Sequence, residues 1–446
     1  MIAPERLTPR EVSRTYYLIA GAYTLSASLI WGVNTMFLLG AGLSLLQAFV
    51  ANAIFTGSMA LFEVPTGIVA DTRGRRASFL LSVALLIVGT LAYVAVGEYG
   101  GGMTGIVAAS VVLGLGYTFY SGAVEAWLVD SLKTTGYSDP VDRVLARGSA
   151  ISSIAMLIGS VSGGMLGSIH LSVPYLVRSG LLLVAFVIGY RAMHDTGFTA
   201  RAVRWGDVPK EMARVGRESL TFGWRERHAR NAILAGAMPY VVIAWAYYAW
   251  QPYFLQLLAT SDVRVLGVVA AAVSLAMAAG RWLVERLTRF CSRRTTLLLG
   301  ASILFVVTTI GVGLTSSFWI AVSLYLISNA ASSAFTPVCQ AYLHAVIPSE
   351  QRATVLSLNN LVASAGSMGG QAGLGWLAAN RSLGMGYVAG GIAAAFTIPW
   401  ILAMRRLGGA PDRIKGTAAR FAACESLAIP AGSQPVQVVQ DVVAQV

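Results

Sequence analysis

Apolar runs of about 20 residues recur along this chain, divided by short polar segments rich in arginine. A helix rising about 1.5 Å per residue needs roughly that length to cross the hydrocarbon core of a bilayer. The pattern predicts twelve spans. Six fall at 17–38, 44–70, 77–96, 104–131, 148–168 and 174–192, and six at 231–257, 264–288, 296–314, 318–345, 353–378 and 385–404. Backbone inside hydrocarbon must satisfy its own hydrogen bonds, so runs of this length read as helices.

Composition agrees. The chain is 56% hydrophobic and only 12% charged, about half the charged share of a soluble domain. A net charge of +12 fits a nucleic-acid binder in principle, but its distribution points elsewhere. With the N-terminus inside, the 32 Lys and Arg lie at inner segments or helix ends, except Arg178, Arg264, Arg281 and Arg381. That is the positive-inside bias. It predicts a multi-pass protein of the inner (plasma) membrane with both termini cytoplasmic, touching anionic lipid and no nucleic acid. Met1 to Thr15 lacks a cleavable signal pattern. Cys291, Cys339 and Cys424 have no metal-ligand spacing. Four scattered His, no nucleotide loop and no nucleophile elbow argue against catalysis, and neither metal nor cofactor is expected.

The expected organisation is a cytoplasmic N-terminus (1–16), a six-helix bundle (17–193), a basic linker (194–230), a second six-helix bundle (231–407) and a cytoplasmic tail without fixed fold (408–446). In the linker, Val208, Met212, Val215 and Leu220 recur at nearly helical spacing among arginines, predicting a short amphipathic helix on the inner face. The halves echo one another. Arg147-Gly-Ser149-Ala-Ile-Ser152 opens the fifth span and Arg352-Ala-Thr354-Val-Leu-Ser357 the eleventh; Gly163-Gly164 and Gly369-Gly370 follow at similar distance. Arg75-Arg76 likewise matches Arg293-Arg294.

Gly67-Ile-Val-Ala-Asp71-Thr-Arg73-Gly74-Arg75-Arg76, between spans two and three, carries the strongest motif. Asp71 can accept from Arg75 and from free N–H groups at a neighbouring helix start. Gly74 allows a tight turn. The stretch resembles the G-x-x-x-D-x-x-G-R-R loop of the major facilitator superfamily of secondary transporters, and the resemblance extends over roughly residues 16 to 407. It implies an all-α fold of two pseudo-symmetric six-helix bundles, with a small-molecule site between them. It also implies a conformational latch at Gly67, Asp71, Gly74, Arg75 and Arg76, with the Arg352 end of span eleven as its neighbour. The second-half copy keeps Arg289, Arg293 and Arg294 without an Asp matching Asp71; Glu285 can instead bond Arg281 or Arg289.

Ionisable groups within spans are costly unless paired or hydrated. Glu63, two residues before Pro65, reads equally as a proton site or as a static partner. Glu125 is the second proton candidate. Asp130 is the third proton candidate, though it reads chiefly as a structural partner for Lys133, Arg143 or Arg147. Asn34, Gln251, Asn329 and Asn359 either bond a solute or tie helices together. Tyr120, Trp245 and Tyr248, among other aromatics, line a cavity or sit in the interfacial belt. Gly159-Ser160-Val-Ser-Gly163-Gly164 keeps the glycines of the Gly-Pro-x-x-Gly-Gly pattern of family antiporters but lacks its proline, and Thr118 or a neighbour replaces their span-four basic residue. The resulting expectation is a monomeric, proton-coupled exporter of a small hydrophobic or drug-like molecule. Importing symport and a non-transporting receptor or scaffold are the alternatives.

Overall fold

The structure is a computed structural model; residues 8–120, 122–198, 224–347 and 352–414 are described. Its helices are α1 (Pro9–Trp31), α2 (Asn34–Gly40), α3 (Leu45–Arg73), α4 (Arg75–Tyr99), α5 (Gly102–Tyr120), α6 (Ala123–Thr134), α7 (Val141–Gly167) and α8 (Val173–Ala192). The second half contains α9 (Arg227–Leu258), α10 (Arg264–Leu287), α11 (Arg294–Leu314), α12 (Phe318–Val346), α13 (Arg352–Asn380), α14 (Leu383–Ala395) and α15 (Thr397–Leu407). The predicted linker helix, the tail beyond Ile414 and Cys424 lie outside the described residues, whereas 408–414, expected without fixed fold, include a 3-10 turn at Ala410–Asp412.

Ten of the described helices or helix pairs are long and apolar enough to cross a membrane, and the α1–α2 pair makes eleven. The twelfth span is α13, whose Ser, Asn and Gln residues dilute its apolarity. It packs between α3 and α9, where polar side chains find partners, as when Gln371 Nε2 donates to Thr56 Oγ1 at 3.2 Å.

Equivalent helices pack alike in the two halves. α1 lies against α7 as α9 lies against α13; α4 pairs with α5 as α11 pairs with α12. The glycines matched in sequence take equivalent places. A Cβ on Gly163 would collide with the Leu29 carbonyl of α1, and one on Gly370 with the Val241 carbonyl of α9. Close backbone approach in lipid needs such small residues, because packing rather than water exclusion holds the helices.

The first span departs from the uninterrupted 17–38 helix expected of it. It breaks at Gly32-Val33 with a bend of 51° between α1 and α2. A break inside hydrocarbon exposes backbone groups that need partners. Gln251 of α9 supplies them: its Oε1 accepts the Thr35 N–H at 2.7 Å and its Nε2 donates to the Trp31 carbonyl at 2.8 Å.

That contact also marks where the halves meet. Thr35 Oγ1 donates to the Tyr248 carbonyl, α7 crosses α10 at Gly164 and Gly267, and α3 meets α13 at Phe49–Gly375 and Gly57–Met368. All of these lie toward the end of the bundle opposite the 67–76 loop. Among the described residues, every side-chain hydrogen bond between the halves lies there too. We call this the distal end, and the other the arginine-rich end. In the distal loop before α10, hydrogen bonds from Arg264 hold the Asp262 carboxyl below its ordinary range.

Candidate functional site

The distal seam roofs a cavity of about 340 Å³, walled by α1, α2, α3, α4, α5, α7 and α8 and closed from the second half by Tyr247 and Tyr248. That volume is at the small end of ligand pockets. Its wall is rich in aromatic residues: Trp31 stacks on Tyr247 with centroids 5.4 Å apart, and Tyr93, Tyr117 and Tyr175 also line it. Asn34 lines it, yet both its polar atoms are engaged. Nδ2 donates to Asn52 at 3.2 Å and Oδ1 accepts from Tyr175 at 2.9 Å.

Arg178 of α8 also lines this cavity and is 1% exposed. One guanidinium nitrogen donates to the Tyr117 hydroxyl at 3.3 Å, and the group lies 5.6 Å from that ring's centroid. Nε and Nη1 have no protein partner. No Asp or Glu is among the lining residues. An unpaired buried cation costs several kcal/mol even after relaxation, so this residue outweighs every other polar group in the wall. In the sequence it stands only as an exception to the charge bias. A lone Arg within an apolar span was the signal available.

Closer to the arginine-rich end, the halves diverge around a cleft of about 510 Å³. Tyr16, Tyr120, Glu125, Ser149 and Ser152 stand on one side and Ala278 and Arg281 on the other. Glu125 and Arg281 are both exposed, and no ion pair joins them in this arrangement. Along α1 the cleft residues Tyr16 and Ala20 precede the cavity residues Ala27 to Trp31, so the cavity lies deeper. Tyr120 stacks on Tyr23 at a centroid distance of 3.5 Å, at the level between them.

At the motif loop, Asp71 accepts from Arg75 at 2.8 Å within the first half. Gly74 has φ +103°, and its missing side chain leaves room for the Asp195 carboxylate, which a Cβ would strike. Asp195, just beyond α8, caps α4 by accepting the Arg76 N–H at 2.9 Å. Arg76 donates in turn to the Tyr190 carbonyl. The second half repeats this: Asp412, just beyond α15, accepts from Thr295 N–H and Oγ1 at 2.8 and 3.0 Å, while Arg294 donates to the Pro411 and Arg413 carbonyls. Neither Asp was read from sequence, because each acts on a helix far away along the chain. Gly67 is exposed with open space beside it. Arg352 opens α13, and its side chain is outside the described residues.

The remaining expected residues scatter. Glu63 is exposed on α3, outside the cavity and the cleft. Asp130 is half-buried and makes no ion pair with Lys133, Arg143 or Arg147 among the described residues, a correction to its expected partnership; Arg143 instead reaches Asp139. Arg147 is exposed on α7, and Glu285 sits 3.9 Å from Arg289. Trp245 does not line the cavity: it is fully buried against Phe49 and Tyr387. Gln251 is equally buried and spent on the α1–α2 break. Tyr248 lines the central cavity, and Asn329 a smaller one of about 90 Å³ in the second half. Asn359 is half-buried beside Gly236.

Solved structures share this architecture. A variant of the nucleoside transporter NupG superposes with a TM-score of 0.72 at 8% identity, covering 88% of this chain and 99% of that one. A peptide transporter POT, solved with sulfate, gives 0.69 at 14%, covering 90% and 95%. The human organic anion transporter MFSD10 gives 0.61 at 13%, covering 88% and 99%. Their named cargoes differ, so the shared fold specifies none. No curated protein matches this sequence. The family model described as Major Facilitator Superfamily matches residues 16–289 and 258–438. This multi-pass membrane chain belongs to the Major Facilitator Superfamily of transporters.

Proposed function

We propose that this chain is a proton-coupled secondary transporter that exports a small aromatic or amphipathic molecule by alternating access. The observation carrying this reading is the cavity walled by the first half and closed by Tyr247 and Tyr248 of the second, roofed at one end and followed at the other by an open cleft between the halves. With the arginine-rich end in the cytoplasm, as the charge bias favours, this arrangement is the inward-open state. Rocking the halves about the seam closes the cleft and opens the roof. Asp71 and Arg75 then form the latch against the start of α13.

Glu125 is the preferred proton site. It stands in the cleft opposite Arg281, where closure brings the opposite charges together and makes its protonation state matter. Glu63 is the weaker choice, because it lines neither space. Gly159, Gly163 and Gly164 occupy close helix contacts in span five, where family antiporters carry their glycine pattern, although Ser160 stands in place of its proline.

Inside-out vesicles with an imposed pH gradient, given a panel of aromatic solutes, test this reading. Accumulation that collapses with the gradient and is lost in Glu125→Gln is expected. Gradient-independent flux would remove the proton coupling, and absence of any flux would remove the transport reading.

A further inference from the structure

We infer that the central cavity is an anion site: Arg178 takes a carboxylate or similar oxyanion, while the aromatic wall takes the ring to which it is attached. This deepens the transport reading and rests on it for the solute's passage, though not for its binding.

Arg178 has two buried nitrogens without a protein partner, and the Trp31 indole N–H and the Thr90 hydroxyl in the same wall also lack one. The two side-chain amide oxygens of the wall each already accept a bond from another residue: Asn34 Oδ1 from Tyr175, and Asn52 Oδ1 from Asn34. No carboxylate lines the cavity. The wall therefore presents unmet hydrogen-bond donors around a fixed positive charge. Nε and Nη1 point to different edges of the planar guanidinium, so a carboxylate takes one of them together with the second N–H of Nη2, whose first is directed at Tyr117.

Shape selects further. Tyr117 lies along one side of the guanidinium, holding it by a hydrogen bond and by its ring. The stacked pair Trp31 and Tyr247 offers a flat apolar surface elsewhere in the same small space. A compact aromatic acid satisfies both features, whereas a neutral analogue leaves Arg178 unanswered. Discrimination is strong when a buried polar group of the site would be left unpaired.

The test is binding to the purified full chain in detergent, read by quenching of tryptophan fluorescence and by thermal stabilisation. Salicylate and salicylamide are the probes, matched in ring and differing in charge. Salicylate is expected to bind saturably and salicylamide about tenfold more weakly or less, the difference one charge-assisted contact supplies. Arg178→Met should abolish the preference, and Arg178→Lys should retain part of it. Equal binding of the two probes to the parent overturns the proposal without reference to any variant. So does a preference that survives Arg178→Met.

Chloride titration forms the third arm. Competition between chloride and salicylate supports one shared anion site. If chloride stabilises the parent but not Arg178→Met, and salicylate neither binds nor competes, the arginine holds an inorganic counter-ion and the solute reading falls. The two readings fail separately. Flux of neutral solutes that ignores salicylate removes the anion site and leaves transport standing; salicylate binding without flux does the reverse.

Discussion

Asp195 and Asp412 show how much a single carboxylate does in this molecule. Each caps the third span of its half from just beyond the sixth, tying two helix ends that share no sequence neighbourhood. Replacing Asp195 with Ala should lower stability by about 1–2 kcal/mol, the usual cost of losing a cap. Asp412→Ala should cost more, since that residue is 2% exposed and receives both the N–H and the hydroxyl of Thr295. Thermal unfolding of the two variants in detergent checks this, and unchanged midpoints would refute the capping role. At this scale the sequence was legible only where partners are near neighbours. Asp71 with Arg75 was readable because i and i+4 share a helix face. Arg178 was visible as a residue in a span, but its burial beside Tyr117 of α5 was not.

Among the elements, the broken first span is the most consequential. Gln251 was a candidate for binding solute, yet both ends of its amide complete the backbone of another helix. Gln251→Leu should strand the Thr35 N–H and the Trp31 carbonyl, at about 1–3 kcal/mol for each unsatisfied group. Because those groups lie on the distal seam, the loss should loosen the roof rather than unfold either half. Hydrogen exchange across residues 31–35 and 247–251 should rise while the rest of the bundle keeps its protection; a uniform pattern would mean the seam does not depend on this amide. Helix existence was read well from hydropathy. The bend was not, since Gly32-Val33 is an unremarkable pair until a side chain from the other half accepts the break.

For the whole molecule, the central question is how two half-bundles exchange partners. The seam is made at the distal end, and the cleft leaves Glu125 and Arg281 facing without contact. We expect Glu125→Arg to set like charges across the closing surfaces and lower transport by about tenfold, equivalent to roughly 1.4 kcal/mol. Adding Arg281→Glu to it should restore most of the activity if the pair meets in the alternate state. A double variant as impaired as the single one would show that these residues never meet.

The sequence by itself determined the helical class, the twelve spans, the repeat between halves and the family, because hydropathy and short motifs are carried by contiguous residues. The tertiary structure alone decided which end is sealed, that Arg178 is buried without a counter-charge, and which polar residues are spent on helices rather than left for a solute. The physical reason is the same in each case: burial and hydrogen-bond satisfaction depend on neighbours drawn from other helices. Nothing local to a residue records who those neighbours are.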